Sequence, residues 1–600
     1  MSNSIAPGSS ADVNVKVTAL TTNPNVPVTY KTIILKKNLV NGVNTLTQEM
    51  MSITNTKYIV KYDYVLGENI TVPDNCILEF DGGSLSGAYT ITGSNTGINA
   101  ELVKIFSTDI ILAGSWNVNN IYSEWFIFNN NDCSKQFANI NILSNNGNTN
   151  IYLNNSVYNV LPTSNYSNLI ILKSNTSLYL IGTINIQTNS VDYNIIYIKD
   201  AKNVSVFGGN LKGDVSTHSS STEGGSGVYV DCSENITVKD ITVGEIWGDG
   251  IYIGQFGNNS PQNILISNST ITKNRRNGIS VTAGEYVYIE NCKILDNATI
   301  NGTNPKSAID IEENDWTYCD HIFINNIISN GNMYFTKHIN HSPSGRIIRL
   351  SNSIVNNLNI NNNCVIDNCD IYDMIINYDN AKIKNSTIQT FIIISASNIE
   401  IRNCTFNNIS RAAGYIGLIN IDSEVHNITF ENNTLYFPDA GYRNSSSVLP
   451  TNSDKVDLVN CTIIGTDNWF IWMLGDIIKC NLSVGRMMLN NNTFNIINNT
   501  IRTRGLNFVA VENTSPSGFI QNNVIIPGEE NTYQMLFVYS GVNLSNLKLL
   551  NNKCEKFDVG SSRPNFMTSA EIGKEFFDTT LNKPIYWNGT AWVDATGTTV

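Results

Sequence analysis

Along most of this chain apolar residues alternate for four or five positions, stop at an asparagine or aspartate, and then resume. The segment NILISNSTI shows the form: Ile264 and Ile266 alternate, Asn268 interrupts, and Ile271 takes up the apolar line again. Alternation with a period of two, broken by one polar residue, predicts a strand, a tight turn and a second strand. The same nine-residue unit begins at Asn203 (NVSVFGGNL), Asn235 (NITVKDITV), Tyr286 (YVYIENCKI), His321 (HIFINNIIS), Asn398 (NIEIRNCTF), Asn427 (NITFENNTL) and Lys455 (KVDLVNCTI). Strands this short cannot bury a face alone, so each copy must stack on the next. The architecture that fits is all-β, a right-handed parallel β-helix. Between residues 160 and 555 there is room for roughly 14 coils, a shaft of about 65 to 70 Å at ~4.8 Å per coil.

Composition sharpens this picture. Asparagine supplies 94 of the 600 residues, whereas charged residues are only 14% and hydrophobic ones 41%. That balance is too apolar for disorder and too poor in charge for helical surfaces. Asn268, Asn291, Asn326, Asn403, Asn432 and Asn460 occupy one recurring position, a bend that asparagine tolerates in the left-handed region, where stacked amides can form a ladder. Cys292, Cys404 and Cys461 follow one residue later. With eleven cysteines, an odd number lacking zinc or haem spacing, the expectation is free, buried thiols. A net charge of -13 argues against nucleic acid or an anionic membrane as partner. No apolar run reaches the length of a membrane span, and MSNSIAPGSSADVNV lacks the marks of a signal peptide.

The ends depart from the repeat. Residues 1–55 read as an entry segment in which Thr45 and Gln48 suggest a capping box and a short helix. Residues 56–160 combine β segments with a second short helix led by Asp132, bearing Phe137, Ile140 and Leu143, which would cover the open end of a shaft over 161–560. From 564 to 600 aromatics gather, and IYWNGTAWV signals a hairpin around Asn588-Gly589 within a small β module.

The segment IYSEWFIFNNNDCSKQFANINILSNNGNTNIYLNNSVYNV resembles the entry into the β-helix of pectate-lyase-like phage tailspikes. The ending EIGKEFFDTTLNKPIYWNGTAWVDATG is similar to a terminal module of tail proteins from phages of gut anaerobes. The resemblance covers residues 60–330 and 564–600 best. It implies a tailspike or tail-fibre subunit of the virion, made in the host cytoplasm and forming a homotrimer. It further implies attachment to other tail proteins through residues 1–55 and contact of the shaft with a bacterial surface glycan.

One stretch of the shaft carries candidate chemistry. Four successive coils contain GVYV (Gly227 to Val230), GIYI (Gly250 to Ile253), GISV (Gly278 to Val281) and AIDI (Ala308 to Ile311). If the β-branched positions face inward, Tyr229, Tyr252, Ser280 and Asp310 form one outward row. Asp231, Gly254, Thr282 and Glu312 form a second, with Asp249 and Asn277 just before their glycines. Trp247, Glu245, Arg275 and Arg276 border this face. Carboxylates two coils apart stand about 9 to 10 Å from each other, which suits Asp249 and Asp310 as an inverting hydrolytic pair, with Glu245 as an alternative partner of Asp310 and Glu312 nearby. A lyase would instead rest on Arg276 and Tyr252. Tyr229, Tyr252, Trp247, Glu245 and Arg275 are the expected substrate-binding residues, and His338, His341 and Arg346 could lie one coil further on. No cofactor is expected, although the string from Asp310 to Asp315 offers hard oxygen ligands for Ca²⁺. The competing reading takes Gly248-Asp249-Gly250 as an ordinary coil turn and Arg275-Arg276 as a solvated pair. In function, a purely structural tail component and a bacterial polysaccharide lyase or hydrolase stand as alternatives.

Overall fold

The computed structural model describes residues 30–336 apart from 220, 221, 223 and 315, then 347–407, 419–421, 427–436, 456–464, 470–473, 475–484, 486–489, 493–503, 506–508, 517–527, 536–538, 546–554, 559–560 and, of 573–600, all but 574 and 579. The candidates His338, His341 and Arg346, together with Asp315 and most of the entry segment before residue 30, lie outside the described residues.

The chain divides into two compact units after Asn117. In the first, Lys31–Ile34 pairs in parallel with Thr56–Val60, which pairs with Ile77–Phe80; the sheet continues through Thr90–Ala100 to Ile111–Asn117. The boundary expected at residue 55 is therefore absent, because Lys31 stands in register with Thr56 across it. The expected capping box is also absent. Thr45 lies in the strand Val43–Leu46, and Gln48 opens a single 3-10 turn, donating through Nε2 to the carbonyls of Met51 (2.8 Å) and Thr71 (2.9 Å).

The second unit is a parallel β-helix that begins near residue 120 rather than 161. Among the described residues one sheet runs through 18 parallel strands, from Asn120–Tyr122 to Leu547–Leu550, and a second through 25, from Val157–Val160 to Lys553–Cys554. The nine-residue unit spans both sheets: Gln262–Ser267 lies in the first, Thr270–Thr272 in the second, and Asn268 turns between them. Inward residues stack coil upon coil, as in Val204, Ile236, Ile264, Val287, Ile322 and Ile348, all fully buried.

Asparagine is used at two bends per unit, not one. The expected column, including Asn268, Asn291, Asn326, Asn403, Asn432 and Asn460, has φ between 51° and 58°. The first residue of the unit is left-handed as well: Asn203, Asn235, Asn263, Tyr286, His321, Asn398 and Asn427 have φ from 52° to 59°. Amides on successive coils bond to each other, Asn203 Nδ2 to Asn175 Oδ1 (2.8 Å), Asn235 to Asn203 (3.0 Å) and Asn326 to Asn291 (2.7 Å). The left-handed residue costs most side chains about 1–2 kcal/mol, and this local bonding explains why asparagine fills the place.

The position after the bend points inward; it is a small polar residue or a cysteine on several coils and isoleucine, at Ile241 and Ile327, on others. Ser269 and Ser386 donate to the carbonyls of Ser267 and Lys384 (2.7 Å each), and Cys292 and Cys404 do the same to Glu290 and Arg402 (3.2 Å each). Thiol and hydroxyl are thus interchangeable fillers of one buried column. The ten cysteines other than Cys554 are free and buried.

The helix Ser134–Leu143 buries Phe137, Ile140 and Leu143, and Asp132 accepts the Ser134 amide (3.0 Å). Its Asn141 bonds to the strand Ser167–Leu172 as a neighbouring strand would, donating to Leu169 O and accepting from Ile171 N (2.9 Å each). A free sheet edge is thereby covered. Near the C-terminus, Glu575–Asp578, Lys583–Trp587 and Trp592–Val593 form an antiparallel sheet. Its hairpin turns through Asn588 and Gly589 (φ 100°), and Phe576, Ile585 and Trp592 are its core, so Trp592 is not an open platform.

Candidate functional site

Six strands of the second sheet carry the outward row: Tyr193–Lys199, Ser226–Asp231, Asp249–Gly254, Ile279–Val281, Ser307–Glu312 and Asn332–Thr336. Their register places Tyr229, Tyr252, Ser280 and Asp310 side by side, as the tetrads imply, and extends the row to Tyr197 and Tyr334. Ile251, Ile279, Ile309, Ile253, Val281 and Ile311 fill the core between them. The glycines have a steric cause. A Cβ on Gly250 would stand 2.5 Å from Asn274 Nδ2 and 2.6 Å from Gly278 O, and one on Gly227 2.4 Å from Val243 Cγ1. The backbone bends here so that the glycine faces inward, and Asp249 and Asn277 before it face the outer row.

Asp249 and Asp310 are joined through two residues of the coil between them. Asp249 Oδ1 accepts the Asn277 amide (3.1 Å), while Asn277 Nδ2 donates to Ser280 Oγ (2.9 Å) and to Asp310 Oδ2 (3.3 Å). Asn277 Oδ1 accepts the Ser307 amide (2.9 Å), which fixes the orientation of its own amide. Arg276 Nη1 lies 3.8 Å from Asp249 Oδ2. Burial, reinforced by Glu312 and Asp249, pushes the Asp310 carboxyl up to about 7 against the pull of Arg276 and Asn277. Burial raises Asp249 too, outweighing Arg276, the Asn277 amide and Ser280. Two coupled carboxyls in one network share their titration, and this pair is poised to hold a proton near neutrality.

The centre of the outward row is closed to solvent. Asp249 is 4% and Asp310 5% exposed, and Ser280 is buried between them; Glu312 is exposed and Arg276 partly so. The tyrosines differ from expectation. Tyr197, Tyr229 and Tyr252 stack on one another at 5.1–5.2 Å, so their ring faces are occupied and they offer edges and hydroxyls instead. Tyr252 leans over Gly254 to bond Thr282 Oγ1 (2.8 Å), and burial pushes its phenol up to about 12.

Three expected binding residues leave the face altogether. The Arg275 guanidinium lies 3.8 Å over the Trp247 ring, His218 stacks on Trp247 at 4.1 Å, and both Trp247 Nε1 and Arg275 Nη2 donate to the Thr222 carbonyl (3.2 and 2.7 Å). Trp247 and Arg275 are 5% and 4% exposed. Such stacking buries a guanidinium more cheaply than solvent-facing alternatives suggest from sequence. Glu245 sits at a left-handed bend, 3.9 Å from Lys212, and is not part of the Asp249–Asp310 network. The acidic string also splits: Glu313 is buried against the Cys319 amide (3.0 Å), and among the described residues it does not gather three carboxylates onto one point. Asn277 as the bridge and Tyr334 as the far wall were missed. The sequence Asn332-Met-Tyr-Phe, a fifth copy of the tetrad, is the signal that would have found Tyr334.

A family model described as the right-handed β-helix region matches residues 226–388, the stretch that holds this site, and the fold is a right-handed parallel β-helix. The chain is 31% identical over 140 residues to an uncharacterised protein, YclG, of Bacillus subtilis strain 168, covering 21% of this chain and 24% of that protein. It is 27% identical over 136 residues to an SPbeta prophage-derived uncharacterised protein, YorA, of the same strain, covering 20% and 23%. The chain thus spans about a quarter of the length of these curated relatives. Among solved structures it is similar to the A-module of the mannuronan C-5 epimerase AlgE6 of Azotobacter vinelandii (12% identity, TM-score 0.31, 71% of this chain and 96% of that one). It is also similar to the tailspike of E. coli bacteriophage HK620 in complex with a pentasaccharide (14%, 0.28, 72% and 78%). A third is the tailspike of Acinetobacter baumannii bacteriophage Fri1, a capsular polysaccharide depolymerase (14%, 0.28, 62% and 61%). Likenesses of this degree concern the fold.

Proposed function

We propose that this chain is a phage tail protein whose β-helix binds a bacterial surface polysaccharide and hydrolyses it at the Asp249–Asp310 pair. The observation that carries the reading is the buried pair itself, two carboxylates joined by hydrogen bonds through Asn277 and flanked by Arg276. Asp310, protonated near neutrality, is suited to donate to a leaving oxygen, and Asp249, beside Arg276, to activate a water. The exposed Glu312 and the Arg276 head are where glycan hydroxyls meet the site. Three carboxylates against one arginine disfavour a uronate substrate, and the Tyr252 hydroxyl is engaged by Thr282, so hydrolysis is favoured over elimination. The tail assignment is supported by the segments 121–160 and 571–597 quoted above and by the prophage origin of one relative. Homotrimer formation, attachment through residues 1–55 and a place on the virion tail belong to the same proposal.

The test is incubation of the full chain with capsular or exopolysaccharides of candidate host bacteria. Hydrolysis releases reducing ends without absorbance near 235 nm, and Asp310→Asn and Asp249→Asn abolish it. Absorbance near 235 nm would point to a lyase, and retention without product to a binder. A second reading has its own observation, since carboxylates 4% and 5% exposed with satisfied partners also describe a structural network. Under that reading the combined Ala variant of Asp249, Asp310 and Arg276 adsorbs to host cells as well as the parent.

A further inference from the structure

Carboxylates on the outer face of the 18-stranded sheet are repeatedly matched with a base on the adjacent coil. Lys202 stands in register with Glu234 (2.6 Å), Lys382 with Glu400 (3.5 Å) and Arg402 with Glu431 (3.0 Å). Among the described residues of this sheet, one pairing sets two carboxylates opposite each other: Glu285 of the strand Gly284–Glu290 stands in register with Asp320 of Cys319–Asn325. Like charges directly opposite each other in a sheet are destabilising. Beside them is His321, whose Nδ1 is buried, lies 3.0 Å from Asp320 Oδ1 and makes no hydrogen bond. Donor atoms of Glu285, Asp320 and His321 all lie within 4.8 Å of one another.

We infer that Glu285, Asp320 and His321 form a binding site for a divalent transition-metal ion of the Zn²⁺ type. The ion would supply the positive charge that a Lys or Arg supplies on the other coils. One imidazole and two carboxylates suit Zn²⁺ better than Ca²⁺ or Mg²⁺, which take oxygen ligands alone. Asp320 is held in place by accepting the amides of His321 (2.7 Å) and Ile347 (3.1 Å), and Gln262 Nε2 reaches Glu285 Oε2 (3.4 Å) from the coil before. His321 is itself out of pattern. Its bend is left-handed, φ 52°, and the equivalent bends at Asn203, Asn235 and Asn263 carry asparagine. Its ring packs 4.8 Å from that of Tyr286, which fixes its orientation. The site is separate from the Asp249–Asp310 pair and does not depend on the proposed function.

The same departures from pattern supply mild variants. His321→Asn restores the residue found at the equivalent bends, and Glu285→Gln copies Gln262 one coil earlier, so both are expected to fold. The full chain, stripped with chelator, is titrated with Zn²⁺ by calorimetry and its thermal midpoint followed. The expected result is one saturable site that raises the midpoint, with affinity falling at least about tenfold in each variant, since loss of even an outer-shell partner costs 10–100-fold. Equal Zn²⁺ binding by parent and His321→Asn would place the metal elsewhere and overturn the proposal. So would a midpoint indifferent to Zn²⁺ but lowered by Arg346→Gln, which would make arginine the counter-charge.

Discussion

Replacing Asp310 by asparagine isolates the energetic cost of the buried pair. The asparagine is close to isosteric, keeps an oxygen for Asn277 Nδ2, and cannot ionise. In the parent the carboxyl is held up to about 7, against 3.8 for an ordinary aspartate. A folded value above the unfolded one means that the protonated form is the one the fold favours. Stability from this group is therefore complete below about pH 4 and is lost as pH rises through about 7. Three units correspond to roughly 4 kcal/mol at full ionisation. For a unit running from Val118 to Val600, the usual entropy of unfolding is roughly 1 kcal/mol per kelvin, so the expected effect is about 4 °C. Parent and Asp310→Asn should melt within about 1 °C of each other at pH 4.5, and the variant should gain by about 4 °C at pH 8.5. Differential scanning calorimetry at one fixed scan rate is the assay, because a chain of this size need not unfold reversibly. Midpoints that stay parallel across this range would show that Asp310 ionises as freely in the fold as in the unfolded chain, and the acid role assigned to it would fall with that result.

Three further outcomes follow from the packing. Gly250→Ala should destabilise by about 2–3 kcal/mol or prevent soluble expression, because its Cβ would meet the Gly278 carbonyl at 2.6 Å, measured by thermal melting. Cys292→Ser and Cys404→Ser should each cost less than about 1.5 kcal/mol by the same melts, since a hydroxyl can make the bond that each thiol makes to the carbonyl of Glu290 or Arg402. The thiols of Cys133, Cys292, Cys369 and Cys404, each pushed up to about 11 by burial, should resist an aromatic disulfide reagent at pH 8 until the chain is denatured. Rapid native labelling at Cys292 would contradict the buried column.

The repeat was legible because its cause is local. A period of two and a left-handed asparagine are each demanded by one turn of backbone, so the sequence alone determined the coil, the register of the tetrads and the row from Tyr229 to Asp310. Asp310 was legible as an outward carboxylate on the fourth coil for the same reason, whereas Asp249, three residues before Tyr252, meets the outer row only because the backbone bends at Gly250. What only the tertiary structure decided are properties that depend on neighbours from distant coils. Tyr229 and Tyr252 read as free ring faces until stacking shows those faces consumed. Trp247 and Arg275 read as open binding groups, but the Thr222 carbonyl, contributed by an earlier coil, draws both under the surface. The pairing of Lys31 with Thr56 crosses a boundary that composition placed at residue 55. Asn277 was visible as a residue before a glycine, yet its role as the link between two carboxyls exists only once three coils are stacked. Sequence fixes which way a side chain leaves its strand; how deeply it is buried, and with what, is set by the coils above and below, because burial is a property of the assembled surface and not of any one repeat.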